Sequence, residues 1–240
     1  MRAIAVTPAM KEVSIIDQPE PDIASPFDVK LRMLEAGVCG TDKEICAFEY
    51  GTPPAGSGQL VIGHESLGEV VEVGPEVSRV QPGDLVVPMV RRPCFHETCA
   101  ACRSDRQDFC FTADFRERGI KEAHGFMAQF VVDHEKYMNP VPRELRDVAV
   151  LVEPLTIAEK ALTQVWQVQQ RLPWSSSVTP GKAAAYCHRA VVLGAGPVGL
   201  LGAMALVNCE FDTYVYSREP APNPKSQLLE CIDEHYISSE

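Results

Sequence analysis

The sequence predicts two unlike parts, a barrel-like β domain of mixed α+β class followed by the opening of a doubly wound α/β domain. Three observations predict this division. The first part contains short apolar strands separated by turn residues, a charged loop carries four cysteines, and a glycine-rich turn joins an apolar strand to an apolar helix. We place the domain boundary between residues 189 and 190, which gives domains 1–189 and 190–240.

The composition excludes several classes of function. Of the 240 residues, 45% are hydrophobic and 23% are charged, as in ordinary globular proteins. The net charge of -11 argues against nucleic acid and anionic membrane as partners, because both require a basic surface. The N-terminus lacks a signal-type apolar run, and no stretch approaches the ~20 apolar residues of a membrane span. We therefore expect a cytoplasmic protein whose nine cysteines are thiols or metal ligands.

The first 140 residues or so predict a series of short strands. Turn-forming segments separate the apolar runs at Pro19–Pro26, Gly51–Gly58 and Gln81–Asp84. Many short strands with such turns favour a barrel-like β domain. The predicted strands are Arg2–Thr7, Val13–Asp17, Val29–Ala36, Leu67–Val73, Leu85–Val87 and Met127–Val132.

The pattern changes to helical spacing after Glu144. Apolar residues recur there every three or four positions, which predicts a helix that ends before Pro173. The next segment, Ser175–Lys182, is predicted to be a linker. The elements predicted after it are a strand at Ala190–Leu193, a helix at Pro197–Val207, a strand at Thr213–Tyr216, a loop at Pro220–Pro224 and a helix at Lys225–His235.

A cluster of four cysteines predicts a structural zinc site. With gaps of four, two and seven residues, the cluster occupies 17 residues and comprises Cys94, Cys99, Cys102 and Cys110. Four thiolates so spaced in a charged loop form the ligand set of a closed tetrahedral zinc site, which stiffens its lobe and performs no chemistry. His96 is an alternative to Cys94 as the fourth ligand, although we prefer Cys94. The predicted zinc lobe spans residues 91–112.

Two separate segments together suggest a catalytic zinc site. Cys39 and His64 are ligands of the kind that zinc binds, and a catalytic zinc keeps one position open for substrate. Asp42 is expected to orient the His64 ring through a hydrogen bond. Each residue alone is weak evidence, since a lone cysteine is more often a small buried hydrophobe.

The glycine turn predicts a dinucleotide site. Its sequence, GAGPVG, follows an apolar strand and opens an apolar helix, the context in which a helix N-terminus binds a pyrophosphate. After the next strand an NAD enzyme places an acidic residue, whereas this chain has Ser217 and Arg218, which favours NADP. Glu219 leaves the use of NAD open. The predicted cofactor-binding residues are Gly194, Gly196, Pro197, Val198, Gly199, Ser217 and Arg218.

These motifs, in this order, resemble the zinc-containing medium-chain dehydrogenase family across the whole chain. The resemblance rests on GVCGTD at Gly37–Asp42, GHE at Gly63–Glu65, the four-cysteine lobe and GAGPVG at Gly194–Gly199. It implies a GroES-like barrel that carries the catalytic zinc, followed by a Rossmann domain. A narrower resemblance is to the glucose 1-dehydrogenase branch, and its segments are VRRPC at Val90–Cys94, ERGIKEAHGFM at Glu117–Met127, EKY at Glu135–Tyr137 and VEPLTIAEKAL at Val152–Leu162.

The resemblance also implies roles for individual residues. The catalytic zinc would be held by Cys39, His64 and Glu153, with Glu65 as a nearby, exchanging carboxylate. Glu117 resembles the acceptor of a sugar hydroxyl, a role that Glu153 would share. Thr41 and Asp42 would serve the chemistry, with Thr41 passing the substrate proton outward by hydrogen bonds.

The implied reaction is oxidation of glucose or a related aldose at C1 to the lactone, with hydride transfer to NADP or NAD. The alternatives are another polyol or alcohol dehydrogenase of the family and an inactive zinc-binding fragment. The four-cysteine lobe departs from the family by two extra residues after Cys94. The family's Rossmann domain also continues beyond the equivalent of Glu240. We therefore expect residues 1–240 alone to have a folded, zinc-loaded barrel, a poorly protected segment after Ala190 and negligible glucose oxidation. We expect a homo-oligomer at full length.

Overall fold

The computed structural model describes residues 1–172, 188–232 and 234–238. They belong to two compact units, Met1–Glu153 and Pro154–Glu240. The predicted boundary at residue 189 lies later, because the long helix that begins at Val152 belongs largely to the second unit. The division into domains 1–189 and 190–240 stays a prediction. Within the described residues, no helix is long and apolar enough to cross a membrane.

The first unit consists of eleven short strands in the residues described, with two short α-helices. The strands are β1 Arg2–Thr7, β2 Glu12–Asp17, β3 Asp28–Ala36, β4 Leu60–Val61, β5 Ser66–Val73, β6 Leu85–Pro88, β7 Arg91–Arg92, β8 Arg116–Arg118, β9 Glu122–Ala123, β10 Phe130–His134 and β11 Met138–Val141. Five antiparallel strands form the main sheet in the order β10-β3-β5-β6-β11, and two three-stranded sheets have the orders β2-β1-β4 and β7-β8-β9. The helices are α1 Gly40–Cys46 and α2 Ala100–Arg103.

Two apolar clusters organise this unit. One lies on the main sheet, where Leu31, Val86 and Met138 are fully buried. The other joins Val6 of β1 to Ile45 of α1. Full burial of such side chains contributes about 1.5–3 kcal/mol each. The second cluster therefore fixes α1 against the small sheet, next to the strand that leads to His64.

The second unit contains a parallel sheet, as the glycine turn predicts. The middle one of its three described strands pairs in parallel with both neighbours. The helices that follow the first and the second strand pack against this sheet around a core that includes Ala203, Val215 and Leu229. This is the opening half of a doubly wound fold. The elements are α3 Val152–Gln169, β12 Arg189–Leu193, α4 Pro197–Asn208, β13 Asp212–Ser217, α5 Pro224–Glu230 and β14 His235–Ser238.

Most predicted elements are confirmed to within about two residues, and two are wrong at one end. The strand predicted at Met127–Val132 begins only at Phe130, since the Met127 backbone bonds to β1 and to Ile62 instead of continuing β10. The helix predicted at Lys225–His235 ends at Glu230, and His235 opens a third parallel strand. The predicted linker Ser175–Lys182 lies outside the described residues.

Candidate active site

The start of α1 fixes the first candidate ligand. Cys39 is the N-cap of this helix, and its backbone N–H donates to the Asp42 carboxylate over 2.8 Å. Asp42 is almost completely buried, so the cap cannot move freely. The Thr41 hydroxyl lies 3.9 Å from the Cys39 sulfur. The GVCGTD motif thus folds as a capping box that presents the thiol.

Close backbone packing fixes the second candidate ligand, His64. Gly63 before it has φ +91°, and a Cβ there would lie 2.4 Å from the Met127 side chain. A Cβ at Gly119 or Gly125 would lie within about 2.4 Å of the Gly63 carbonyl oxygen. Only glycine fits such approaches without displacing the backbone. The segment 119–127 therefore packs directly behind His64.

A further glycine admits the Glu65 carboxylate. A Cβ at Gly37 would lie 2.2 Å from Oε2 of Glu65. The Gly37 N–H also donates to the Glu65 carbonyl over 2.8 Å. Gly37, in the motif of Cys39, thus contacts Glu65, in the motif of His64. This contact holds the two motifs together.

The three side chains converge on one point. A ligand atom from each of Cys39, His64 and Glu65 lies within 4.8 Å of the other two. His64 is 4% exposed, and its Nδ1 lies 3.5 Å from Oδ1 of Asp42; neither atom has a hydrogen-bond partner among the described residues. Burial lowers the pKa of His64, but the Asp42 carboxylate outweighs it and raises that pKa to about 9. The buried Nδ1 faces the Asp42 carboxylate, which would hold the ring while its other nitrogen binds a metal, so the residues fit a zinc ion.

Two predicted carboxylates lie close by without joining this group of three. Glu153, at the start of α3, is raised in pKa by burial and by Glu65 and Asp42, against the opposing effect of His64. It acts on the site through charge, and its oxygens are not within 4.8 Å of all three ligand atoms. Glu117 contributes a smaller effect in the same direction on the pKa of Glu153.

The predicted sugar-binding residue Glu117 has a partner that the sequence reasoning missed. Its Oε1 accepts hydrogen bonds from Nη2 and Nε of Arg91, at 2.7 and 3.0 Å. β7 and β8 pair Arg91 directly with Glu117. The VRRPC segment contained this signal, because an arginine precedes the cysteine lobe. Arg91 therefore orients Glu117 through Oε1, and the second oxygen, Oε2, can serve as a further acceptor.

The four lobe cysteines converge as the spacing predicts. The four sulfurs all lie within 4.8 Å of one another: Cys94, Cys99, Cys102 and Cys110. Burial raises the pKa of Cys102 to about 12, whereas a hydrogen bond with Thr112 lowers that of Cys110 to about 6. His96 lies apart from them: its half-exposed ring pairs with Asp114. The geometry favours Cys94 over His96.

The glycine turn has the geometry that a pyrophosphate site needs. Gly194 has φ +106°, and a Cβ at Gly199 would lie 2.0 Å from the Gly194 carbonyl oxygen, so Gly199 lets α4 pack closely on β12. Nothing lies within 4 Å of a Cβ at Gly196, the N-cap of α4. The Gly194 N–H donates to Tyr216 over 2.8 Å, which joins the turn to the end of β13.

The end of β13 presents the predicted ribose-side residues. Ser217 is 8% exposed, and its hydroxyl accepts from the Glu219 N–H over 3.3 Å. Arg218 is exposed beside it. A cleft of about 600 Å³ adjoins the turn and is lined by apolar residues of α3, β12 and α4, with Pro197 and Val198 among them.

Comparison with known proteins agrees with this arrangement. Residues 25–143 match the alcohol dehydrogenase GroES-like domain, and residues 146–240 match the glucose dehydrogenase C-terminus. The chain is 41% identical to a glucose 1-dehydrogenase of Methanocella arvoryzae, covering 99% of this chain and 63% of that protein. It is 39% identical to that of Thermoproteus tenax, covering 100% of this chain and 64% of the relative.

A solved relative shares the fold. The Haloferax mediterranei glucose dehydrogenase in complex with NADP, Zn and gluconolactone aligns with a TM-score of 0.83 at 34% identity, covering 99% of this chain and 64% of that structure. The galactitol-1-phosphate dehydrogenase of Escherichia coli, at 20% identity and a TM-score of 0.73, shares the fold alone. The chain spans just under two thirds of the length of these relatives. It belongs to the zinc-containing medium-chain dehydrogenase family, in the branch that carries the glucose dehydrogenase C-terminal domain.

Proposed function

We propose that this protein oxidises glucose, or a closely related aldose, at C1 to the lactone and transfers the hydride to NADP. One observation carries the proposal: ligand atoms of Cys39, of Glu65 and of the buried His64 lie within 4.8 Å of one another, and Glu153 is close enough for its charge to affect His64. The relatives that match almost the whole chain are glucose 1-dehydrogenases, and one homologous structure contains NADP, Zn and gluconolactone. These findings support the proposal for this chain.

Zinc fits two places in the first unit. In the catalytic one, Cys39, His64 and Glu153 would hold the ion, and Glu65, which converges with Cys39 and His64, would be the carboxylate that exchanges with Glu153. A zinc ion bound there supplies positive charge that stabilises the developing negative charge on the substrate oxygen. In the structural one, the four cysteines of the lobe would enclose the ion completely.

The chain's own residues bind and orient the substrate. Asp42 holds the His64 ring in place from a buried position. The Thr41 hydroxyl, 3.9 Å from the Cys39 sulfur, accepts the proton that the substrate hydroxyl gives up and passes it outward by hydrogen bonds. Arg91 orients Glu117, whose second oxygen accepts a hydrogen bond from a sugar hydroxyl. A buried acceptor of this kind discriminates strongly against substrates that lack the hydroxyl.

The second unit would bind the nucleotide at the glycine turn. The open backbone at Gly196 and the N-terminus of α4 suit the pyrophosphate. Ser217 and Arg218 suit the 2′-phosphate of NADP, because a guanidinium forms charge-assisted bonds with it. Arg218→Ala is therefore expected to weaken NADPH binding more than NADH binding. Equal losses for both nucleotides would remove Arg218 from this role.

Metal, nucleotide and turnover measurements test the proposal together. We expect up to two zinc ions for each chain, NADPH binding in the micromolar range or tighter, and oxidation of glucose by a protein that spans the full length of these relatives. A panel of aldoses, polyols and simple alcohols defines the substrate. Oxidation of polyols or alcohols but not of aldoses would make the protein another dehydrogenase of its family. Zinc without nucleotide binding or turnover would make it a zinc-binding fragment.

Three further expectations belong to this proposal. The protein acts in the cytoplasm without a nucleic-acid or membrane partner, and at full length it assembles as a homo-oligomer. The unpaired state of all eight described cysteines supports a reducing compartment. Cell fractionation and sedimentation velocity test the location and the assembly.

A further inference from the structure

Glu219 lies where a carboxylate would oppose the proposed choice of NADP. It follows Arg218 directly after β13, and an acidic residue near this strand end holds the ribose hydroxyls in NAD enzymes. A free carboxylate there would also repel a 2′-phosphate. The sequence alone leaves this conflict between Arg218 and Glu219 unresolved.

The fold restrains Glu219 at two points. Its carboxylate Oε1 lies 2.6 Å from Nζ of Lys225, and its carbonyl oxygen accepts from the Tyr236 hydroxyl over 2.7 Å. Lys225 belongs to the first turn of α5, and Tyr236 belongs to β14. Both restraints tie the Glu219 carboxylate and carbonyl group to these later elements.

A hydrogen-bonded cap positions Lys225 itself. The Asn223 side chain accepts from the backbone N–H of Lys225 over 2.8 Å and donates to the Tyr236 hydroxyl over 3.1 Å. Glu219, Asn223, Lys225 and Tyr236 thus form one connected unit. At the other end of the same turn, the Ser217 hydroxyl accepts from the Glu219 N–H. The unit is therefore hydrogen-bonded to Ser217, one of the two residues proposed to bind the 2′-phosphate.

We propose that Lys225 favours NADP over NAD by neutralising and restraining Glu219, so that Ser217 and Arg218 receive the 2′-phosphate of NADP. The inference rests on the proposed function, since it presumes a nucleotide at the glycine turn. Lys225 is a positioning residue here: it acts through Glu219 and does not contact the phosphate. The Lys225–Glu219 pair is partly exposed, with side-chain exposures of 36% and 53%, so the effect is modest.

Binding titrations of NADPH and NADH test the inference. Dissociation constants are measured from nucleotide fluorescence for the unaltered protein and for Lys225→Ala, Lys225→Arg, Glu219→Gln and Lys225→Ala/Glu219→Gln. We expect Lys225→Ala to weaken NADPH about fivefold and to leave NADH equal or tighter. Lys225→Arg retains the preference. Glu219→Gln retains or strengthens NADPH binding. When Lys225→Ala is added to Glu219→Gln, the ratio of the NADPH and NADH dissociation constants changes by less than about twofold.

Different failures have different meanings. If the unaltered protein binds neither nucleotide, or prefers NADH, the proposed function fails in its cofactor and this inference falls with it. If that protein prefers NADPH and Lys225→Ala leaves the ratio unchanged, the inference alone is wrong. If Lys225→Ala weakens NADPH binding equally in the unaltered protein and in Glu219→Gln, Lys225 contacts the phosphate directly, and the inference is again wrong. Circular dichroism identifies any variant that has lost its fold.

Discussion

The two candidate zinc sites differ in how the sequence builds them. The four lobe cysteines come from one segment of 17 residues, so local turns suffice to bring their sulfurs together. Cys39 and His64 come from separate segments. They meet because Gly37, Gly63 and Gly119 have no Cβ, so that neighbouring atoms occupy the space that a Cβ would fill. A site of the first kind depends on short-range geometry. One of the second kind depends on the whole first unit.

The charges around the two sites differ as well. The lobe brings together four sulfurs and no carboxylate ligand, and the thiol pKa is raised by burial at Cys102 and lowered by the hydrogen bond with Thr112 at Cys110. The other site has three carboxylates near His64, those of Asp42, Glu65 and Glu153. That is more than one metal ion needs as ligands. A closed four-thiolate site stabilises structure, whereas a site with spare acceptors permits ligand exchange. Loss of each metal should therefore have a different consequence.

The largest expected effect is on stability, at the lobe. Cys102→Ser removes one of four thiolates, and the remaining three cannot close the tetrahedral shell. We expect the loss of one zinc per chain and of about 4 kcal/mol or more of unfolding free energy, a size that metal loss can produce. At this length that lowers the unfolding midpoint by about 8–16 °C. Metal analysis and thermal unfolding measure both effects.

Cys231→Ser is the matched control, because Cys231 is an exposed, unpaired thiol in the second unit. It should leave the zinc content and the unfolding midpoint unchanged. Full zinc content and an unchanged midpoint in Cys102→Ser would show that the lobe does not require four thiolates.

A loss of activity, with little loss of stability, is expected at the second site. His64→Ala removes the central ligand, and the charge stabilisation that zinc supplies to the substrate oxygen disappears with it. We expect loss of the other zinc, a fall in turnover of about 1000-fold or more and a smaller change in the unfolding midpoint than Cys102→Ser produces. Zinc content and steady-state rates measure the outcome. A midpoint lowered as far as in Cys102→Ser would contradict the distinction between the sites.

The same contrast explains what could be predicted from the sequence. Spacing alone located the four-cysteine lobe and the glycine turn, because both are local. The motif resemblance predicted that Cys39, His64 and Glu65 lie at one site. It did not show which glycines make room for them, or that Glu153 lies outside the group of three. Those facts depend on contacts between distant segments. The Arg91–Glu117 pair also arises only when β7 meets β8.

The sequence did not predict β14, the third strand of the parallel sheet, for a related reason. Helix α5 begins where Asn223 caps it, and that start was readable from the proline and the asparagine. Its end at Glu230 has no comparable local signal. The strand that begins at His235 forms because Tyr214 pairs with it in the parallel sheet. Tertiary pairing overrode the local helical pattern there.

An intermediate effect is expected at Asp42, which supports a ligand without being one. Asp42→Asn keeps the shape and the helix cap but removes the charge that faces the His64 ring. Partners of this kind typically contribute 10–100-fold to metal affinity or activity. We expect zinc to be lost to a competing chelator about 10–100-fold more readily at this site, with the lobe zinc unaffected. Equal retention of both ions by Asp42→Asn would show that the carboxylate acts only as a cap.

The smallest effect is expected at His96, the alternative ligand of the lobe. Its ring pairs with Asp114 at the surface, while Cys94 lies buried among the other three sulfurs. His96→Ala should therefore retain both zinc ions and shift the unfolding free energy by no more than about 0.5 kcal/mol, as substitutions at exposed ion pairs usually do. Cys94→Ser should instead lose the lobe zinc, as Cys102→Ser does. Zinc loss from His96→Ala together with full retention in Cys94→Ser would assign the fourth position to the histidine.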